Sequence, residues 1–313
     1  MTEFLVRRSI TTLLVMLGVS FVVFMIIHLV PGDPVRVMLG LQADQAKVEE
    51  IRQQMGFDRP LLVQYVDWLW SALRGDLGES IITGQSVTEA VAQRLPATLS
   101  LALAALLIAL IISLPAGIIS AVYPRSVWDY TAMFFSQVGV SIPDFWMGIM
   151  FILIFSLALG WLPPSGFVSP RESVWEWLQH LILPALTVGL ISASIMTRFV
   201  RSAMLETLHE DYVRTAHAKG LAERVTLMRH VLPNASIPIV TIVGLQMASL
   251  LGGVIIVEII FAWPGLGRLA YDSVIRRDYP MVQGAVLLVA LSFALINLLV
   301  DLLYAYLDPR VKY

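Results

Sequence analysis

Long apolar runs alternate with short polar stretches along this chain, and the runs are too long for the helices of a water-soluble core. A helix needs roughly 20 mostly apolar residues to cross about 30 Å of hydrocarbon. Runs of that length lie at about 9–30, 95–123, 132–161, 181–204, 237–263 and 281–307, which predicts about six membrane-spanning helices. An even number puts both termini on one side. Arg7-Arg8 precedes the first run as it would in a signal peptide, but the apolar part of a signal is usually about 7–15 residues. Pro31-Gly32-Asp33-Pro34 stands where a small-residue cleavage site would be, so the run is read as a retained first span. Pro115, Pro143 and Pro184 fall inside or near the ends of runs, where proline kinks or breaks a helix. Packing kinks and the lining of a pathway both fit them.

Composition removes the soluble alternative. Charged residues make up 14% and hydrophobic residues 58% of the 313 residues, against about a quarter charged in a soluble domain. The formal net charge of -2 carries no nucleic-acid footprint. Orientation follows from the short loops. One side carries Arg7, Arg8, Arg125, Arg198, Arg201, Arg214, Lys219, Arg224, Arg229, Arg310 and Lys312; the other carries Arg171, Arg268, Arg276 and Arg277. Basic residues collect on the cytoplasmic side, so both termini and Lys219 are expected there, with Val48 on the far side. The expected organisation is a cytoplasmic N-terminus and first span at 1–30, an extracytoplasmic segment at 31–94, and a five-helix core at 95–313 with a cytoplasmic loop at about 205–235. Within 31–94, residues 61–70 form an amphipathic run suited to a membrane surface, and Gly75-Asp76-Leu77-Gly78 marks a turn. Trp161, Trp175, Trp177 and Trp263 are expected at the outer interface.

Reactive chemistry is sparse. Cysteine is absent, which excludes disulfides, Cys-ligated zinc, iron–sulfur clusters and a thiol nucleophile. No lysine among Lys47, Lys219 and Lys312 follows a glycine, so a phosphate-cradling G-x-x-x-x-G-K-[ST] loop cannot form. His209, His217 and His230 share one loop without the i, i+4 spacing of a helical zinc site. His28 and Ser141 lack the supporting residues of a catalytic triad. No catalytic residue and no metal site is predicted. Asp144, Glu258 and Asp301 lie within or beside apolar runs, where ionisable groups are costly and usually face protein or a water-filled cavity. Glu258 is either a pathway or gate residue or the member of a structural hydrogen bond. Asp144 either lines the path or caps a broken helix, and Asp301 can pair with an inner arginine.

The loop after the fourth run has the most internal pattern. Residues 205–219 are good helix formers, and Gly220 is placed as a left-handed stop. A second short helix fits 222–231, and Pro233 opens the next span. A helical hairpin projecting from the membrane results.

This loop resembles the coupling motif of ABC importer permeases, E-A-A, three residues, G, nine residues, I-x-L-P. Gly220 takes the glycine, and Leu232-Pro233 falls at the expected distance. Arg214-Thr215-Ala216 occupies the E-A-A position, and His230 stands where isoleucine is expected. The variant running Asp211-Tyr212-Val213-Arg214-Thr215-Ala216-His217-Ala218-Lys219-Gly220 is similar to that of the dipeptide, oligopeptide and nickel branch, with Asp211 supplying the acid. Pro31-Gly32-Asp33-Pro34, Gly75-Asp76-Leu77-Gly78, Trp161-Leu162-Pro163, Phe261 to Arg268, Arg277-Asp278-Tyr279-Pro280, Asn297 to Asp301 and Asp308-Pro309-Arg310 follow in family order.

The resemblance implies an all-α integral membrane protein of the type I ABC importer permease fold, with six transmembrane helices and both termini cytoplasmic, in a bacterial-type inner membrane. It implies a homologous second permease, two cytoplasmic ATPases that bind ATP and Mg, and an extracytoplasmic binding protein that delivers substrate. This subunit would hold no cofactor and would not itself be an enzyme. The coupling residues would be Asp211, Tyr212, Arg214, Thr215, Ala216, Lys219, Gly220, Leu232 and Pro233. Peptides, whether dipeptides, oligopeptides or glutathione-like, are the expected cargo; nickel or a metal chelate is the alternative. A secondary transporter fits less well, because ion-driven carriers have no use for a docking hairpin.

Overall fold

The computed structural model describes residues 2–29, 36, 44–54 and 58–307. Among them the backbone is helical nearly throughout, and the single β feature is an isolated bridge between Glu79 and Ser86. Helix α1 is Thr2–Leu29, α2 Gln45–Gln54, α3 Leu61–Leu73, α4 Val87–Val122 and α5 Val127–Ser141. Helix α6, Asp144–Phe151, continues as a π-helix over Ile152–Ala158, and α7 is Val174–Leu208. Then come α8 Asp211–Ala218 and α9 Glu223–Thr226, a π-helix over Leu227–Val231, and α10 Leu232–Gly253. The last three are α11 Ile255–Ile260, α12 Leu266–Arg276 and α13 Tyr279–Leu307. The motif Pro31-Gly32-Asp33-Pro34, Asp308-Pro309-Arg310, Lys312 and Tyr313 lie outside the described residues.

Among the described residues five stretches are single apolar rods long enough to cross a bilayer, on α1, α4, α7, α9 through α10, and α13. The predicted run at 132–161 is not one rod. Helix α5 and the α6 segment meet at a bend of 100°. The bend sits at Pro143, which lacks an N–H and disfavours helix in the residue before it; Ile142 accordingly has φ -85° and ψ 125°. Pro115 and Pro184, by contrast, lie inside continuous helices. Six spans result when the bent pair counts as one.

The chain divides into two compact units. One is built on Leu99–Trp263, with α7 as its axis. Lipid tails are as apolar as leucine, so helices in a bilayer associate through close packing and small residues. Gly117 on α4 and Gly139 on α5 both meet α7 in this way. A Cβ at Gly117 would stand 2.7 Å from the Val200 Cβ, and one at Gly139 2.0 Å from the Ser194 Oγ. Ser136 Oγ then donates to the Ser194 carbonyl. The motif after the fifth span also belongs here. Ala262 holds a left-handed φ of 52°, and Trp263 N–H donates to the Glu258 carbonyl over 2.8 Å. That turn folds Trp263 inward against Phe167, with ring centroids 4.9 Å apart. Trp263 is therefore fully buried, whereas Trp161 and Trp175 are exposed.

The other unit is built on Val6–Thr98 and Pro264–Ala294, around Val87, Val91, Leu266, Met281 and Ala285. Helix α3 lies against α1. Tyr65 Oη is 2.8 Å from Ser20 Oγ, and the Tyr65 ring meets Phe21 edge-on at 5.3 Å. Gly75-Asp76-Leu77-Gly78 is a clasp on the start of α4: Thr88 Oγ1 donates to the Gly75 carbonyl at 2.7 Å and accepts from Leu77 N–H at 3.1 Å. This clasp starts α4 two turns before the apolar run. Asp278 is buried at the head of α13 and accepts from Ser80 Oγ.

Candidate functional site

Helix α7 ends at Leu208, where His209 Nδ1 donates to the Leu205 carbonyl over 2.6 Å. Glu210 then adopts an extended backbone (φ -66°, ψ 146°), and α8 begins anew at Asp211. The helix predicted over 205–219 is thus broken at Glu210. The break lets α8 fold back: Val213 is buried with Val200, Ala203 and Met204 of α7, with Val231 of the returning arm and with Ala235 and Ile239 of α10, and Ala216, one turn on, is buried as well. A straight extension of α7 would carry those apolar side chains away from their partners.

Gly220 ends α8 as its sequence position predicts, with φ +76°. Its N–H donates to the His217 carbonyl at 2.9 Å, and Leu221 N–H to the Ala216 carbonyl at 3.3 Å, the paired bonds of a left-handed helix stop. The returning arm is α9 followed by the π-helix of Leu227–Val231, in which Leu232 N–H donates to the Leu227 carbonyl. Pro233 has no N–H to offer the Arg229 carbonyl four residues back, and the widened turn stands where that bond is missing. Asn234 Nδ2 donates to the His230 carbonyl over 2.7 Å, and the ladder resumes in α10.

The hairpin has two faces. Val213, Ala216, Thr226 and Val231 point inward, and Leu232 is half-buried against the same cluster. Tyr212, Leu221, Val225 and Met228 are exposed among the charges of Asp211, Arg214, Lys219 and Arg224. Thr215, Gly220 and Pro233 are exposed too. The Asp211–Arg214 pair is solvated at 3.5 Å and contributes little to stability. Ala216 is only 6% exposed, so this residue of the motif seats the hairpin rather than facing outward.

One polar cluster was not foreseen. Arg201 donates from Nε and Nη2 to the two carboxylate oxygens of Asp129, at 2.7 and 2.9 Å. Ser120 Oγ and the Arg125 N–H donate to the same carboxylate. The bidentate pair joins the end of α4 and the start of α5 to α7, one residue along from Val200 under the hairpin. Asp129 resembles an ordinary helix-capping acid three residues after Ser126, and Arg201 resembles one more basic loop-side residue. Sequence pattern alone does not pair them.

Glu258 and Asp144 lie apart in character. Glu258 is fully buried on α11. Asp144 opens α6, where its Oδ1 accepts from the Phe145 N–H at 2.8 Å, and it lines a small cavity with Ser192 of α7 and Gln246 and Ser249 of α10. Among the described residues no group of three or more His, Asp or Glu is placed to hold a metal ion.

Apolar helices long enough to span a bilayer, with a helical hairpin packed at the end of α7, define a multi-pass membrane protein. Residues 113–313 match the family described as binding-protein-dependent transport system inner membrane component, and residues 1–102 match its N-terminal region. The chain belongs to this family of inner-membrane transport components. It is 42% identical to the dipeptide transport system permease protein DppB of Alkalihalophilus pseudofirmus and 43% identical to the glutathione transport system permease protein GsiC of Escherichia coli K12. It is 40% identical to the oligopeptide transport system permease protein AppB of Bacillus subtilis. Each match covers all of both chains.

Among solved structures, an inward-facing conformation of the MetNI methionine ABC transporter aligns with a TM-score of 0.58 at 17% identity, over 70% of this chain and 96% of that one. An amino acid ABC transporter with histidines aligns at 0.56 and 15%, over 70% and 94%. At such identities the likeness is one of fold. The fold is that of the ABC importer permeases, as the loop motif implied, and the protein is a multi-pass inner-membrane permease.

Proposed function

We propose that the chain is one permease subunit of an ATP-driven importer for peptides. Supplied by an extracytoplasmic binding protein, it would work with a homologous permease and two cytoplasmic ATPases. The hairpin carries this reading. Its inner face is fixed to α7, while its outer face offers apolar and charged side chains together, as a protein-docking surface does. Asp211, Tyr212, Arg214, Lys219 and Gly220 would meet the ATPase, and Ala216, Leu232 and Pro233 would hold the hairpin in place. Closure of the ATPases then shifts a two-state membrane element, through differential binding at the hairpins. Relatives named for dipeptide, glutathione and oligopeptide transport support a peptide cargo. In this scheme residues 1–30 enter from the cytoplasm, 31–94 are extracytoplasmic, and 95–313 form the core.

The test is purification with the candidate ATPase and binding protein, followed by reconstitution in liposomes. ATP hydrolysis is expected to rise when loaded binding protein is added outside. Peptide accumulation driven by an ion gradient without ATP would reject the importer in favour of a secondary transporter.

Topology gives a second expected result. The chain has no cysteine, so single cysteines report cleanly. Val48 is 1% exposed and would hide a label, whereas Ala46 on the same helix is exposed. An impermeant maleimide on intact cells should modify Ala46→Cys and spare Lys219→Cys. Labelling only at position 219 would invert the orientation.

A further inference from the structure

Polar side chains on a membrane helix normally bond to their own backbone, because nothing else in hydrocarbon satisfies them. Helix α7 obeys this at four positions: Thr187, Ser194, Thr197 and Thr207 each donate to the carbonyl four residues back, at 2.7–2.8 Å. Ser192 does not. It is 4% exposed, it lines a cavity of about 230 Å³, and among the described residues its hydroxyl makes no hydrogen bond. Gln246 and Ser249, one turn apart on α10, line the same cavity and likewise make no side-chain hydrogen bond among the described residues. Asp144 completes the set from the broken start of α6, with the neighbouring Phe145 N–H as its hydrogen-bond donor. Val188 and Leu250 contribute to the apolar remainder of the wall.

Four polar side chains converge on one space with most of their bonding capacity unused. The charge among them is a single negative one; among the described residues no lysine, arginine or histidine lines the cavity. An anion is therefore disfavoured, and a lone carboxylate without histidine is a poor site for a transition metal. At about 30 Å³ per water the space equals about eight waters, enough for the amino-terminal end of a peptide. Sixteen residues separate Ser192 from the end of α7, which at 1.5 Å per residue places the site about 24 Å from the hairpin, well inside the span.

We propose that Asp144, Ser192, Gln246 and Ser249 form a subsite for the protonated amino terminus and first amide of a peptide in transit. Asp144 receives the ammonium, the Gln246 side-chain amide and the two hydroxyls meet the amide group, and the apolar wall takes the first side chain. The subsite rests on the peptide-importer reading above.

The experiment uses the complete transporter in liposomes with its binding protein, and radiolabelled dialanine and glutathione as probes. Losing one charge-assisted contact should lower uptake about tenfold. Asp144→Asn is thus expected to cut dialanine uptake about tenfold, while ATP hydrolysis still rises on addition of loaded binding protein, because delivery and docking are untouched. Asp144→Glu should restore most of the uptake. Ser192→Ala should reduce uptake with normal assembly, since among the described residues that hydroxyl holds nothing. Wild-type uptake in Asp144→Asn would overturn the subsite. So would equal loss of uptake and of stimulated hydrolysis in both Asp144→Asn and Asp144→Glu, which is the mark of a structural role. If the wild-type transporter moves neither probe with ATP, the peptide reading itself fails and the subsite falls with it.

Discussion

Gly220→Val is expected to yield a permease that inserts and assembles with its second subunit, yet no longer transmits ATP hydrolysis. No atom lies within 4 Å of a Cβ built at Gly220, so the substitution meets no steric neighbour. Its whole effect is backbone strain at φ +76°, about 1–3 kcal/mol for a β-branched residue. That is enough to misdirect a short hairpin and too little to disturb spans held by their own packing. Gly220→Asn is the control, because asparagine tolerates the left-handed region, and it should keep near-normal coupling. Ala216→Glu should uncouple more severely, for a reason the buried position supplies: at a site only 6% exposed the carboxylate would have to be buried without a partner. Reconstituted ATPase activity, with and without loaded binding protein, checks all three. Wild-type stimulation in both Gly220→Val and Ala216→Glu would make the loop a mere connector.

Asp129→Ala should destabilise the assembled permease by about 3–5 kcal/mol, the usual cost of stranding one member of a buried ion pair. Asp129 is 5% and Arg201 26% exposed at the side chain, so the stranded guanidinium recovers part of its hydration and the lower end of that range is expected. Replacing both members by apolar residues, as in Asp129→Leu with Arg201→Met, should recover most of the loss, since an apolar pair of similar volume is often neutral. Thermal unfolding in detergent measures each variant, and the double-mutant cycle isolates the pair. A loss below about 1 kcal/mol in Asp129→Ala would show that the pair behaves as a solvated surface bridge.

The apolar runs located the spans because the bilayer imposes one length on every crossing. They misjudged helix ends, since those are set by local bonds that hydropathy does not see. The Thr88 clasp lengthens α4, and Glu210 interrupts the helix into the hairpin. Pro143 was readable as a breaker, but so were Pro115 and Pro184, and composition alone does not say which proline has neighbours that tolerate a full bend. In the hairpin, Gly220 was legible because a left-handed stop has a strong residue preference. The inward turn of Ala216 was not, because it depends on a chain reversal at Glu210 that no residue type demands. Asp129 with Arg201 is a bonded pair, and Ser192 with Gln246 share a cavity wall, between helices distant in sequence. Their members look ordinary until the fold brings them together.

Helix α7 is unbroken from Val174 to Leu208, and Pro184 lies on the far side of Ser192 from the hairpin. Between the hairpin seat and the Ser192 hydroxyl there is therefore no joint, and the segment acts as a lever. At 1.5 Å per residue the arm is about 24 Å long, so a tilt of about 10° about the hairpin end swings Ser192 sideways by about 4 Å. A hydrogen bond is lost over much less than that. A small rotation at one end of a stiff rod thus suffices to open a grip at the other, and stiffening or softening α7 between the two should change how far each stroke reaches.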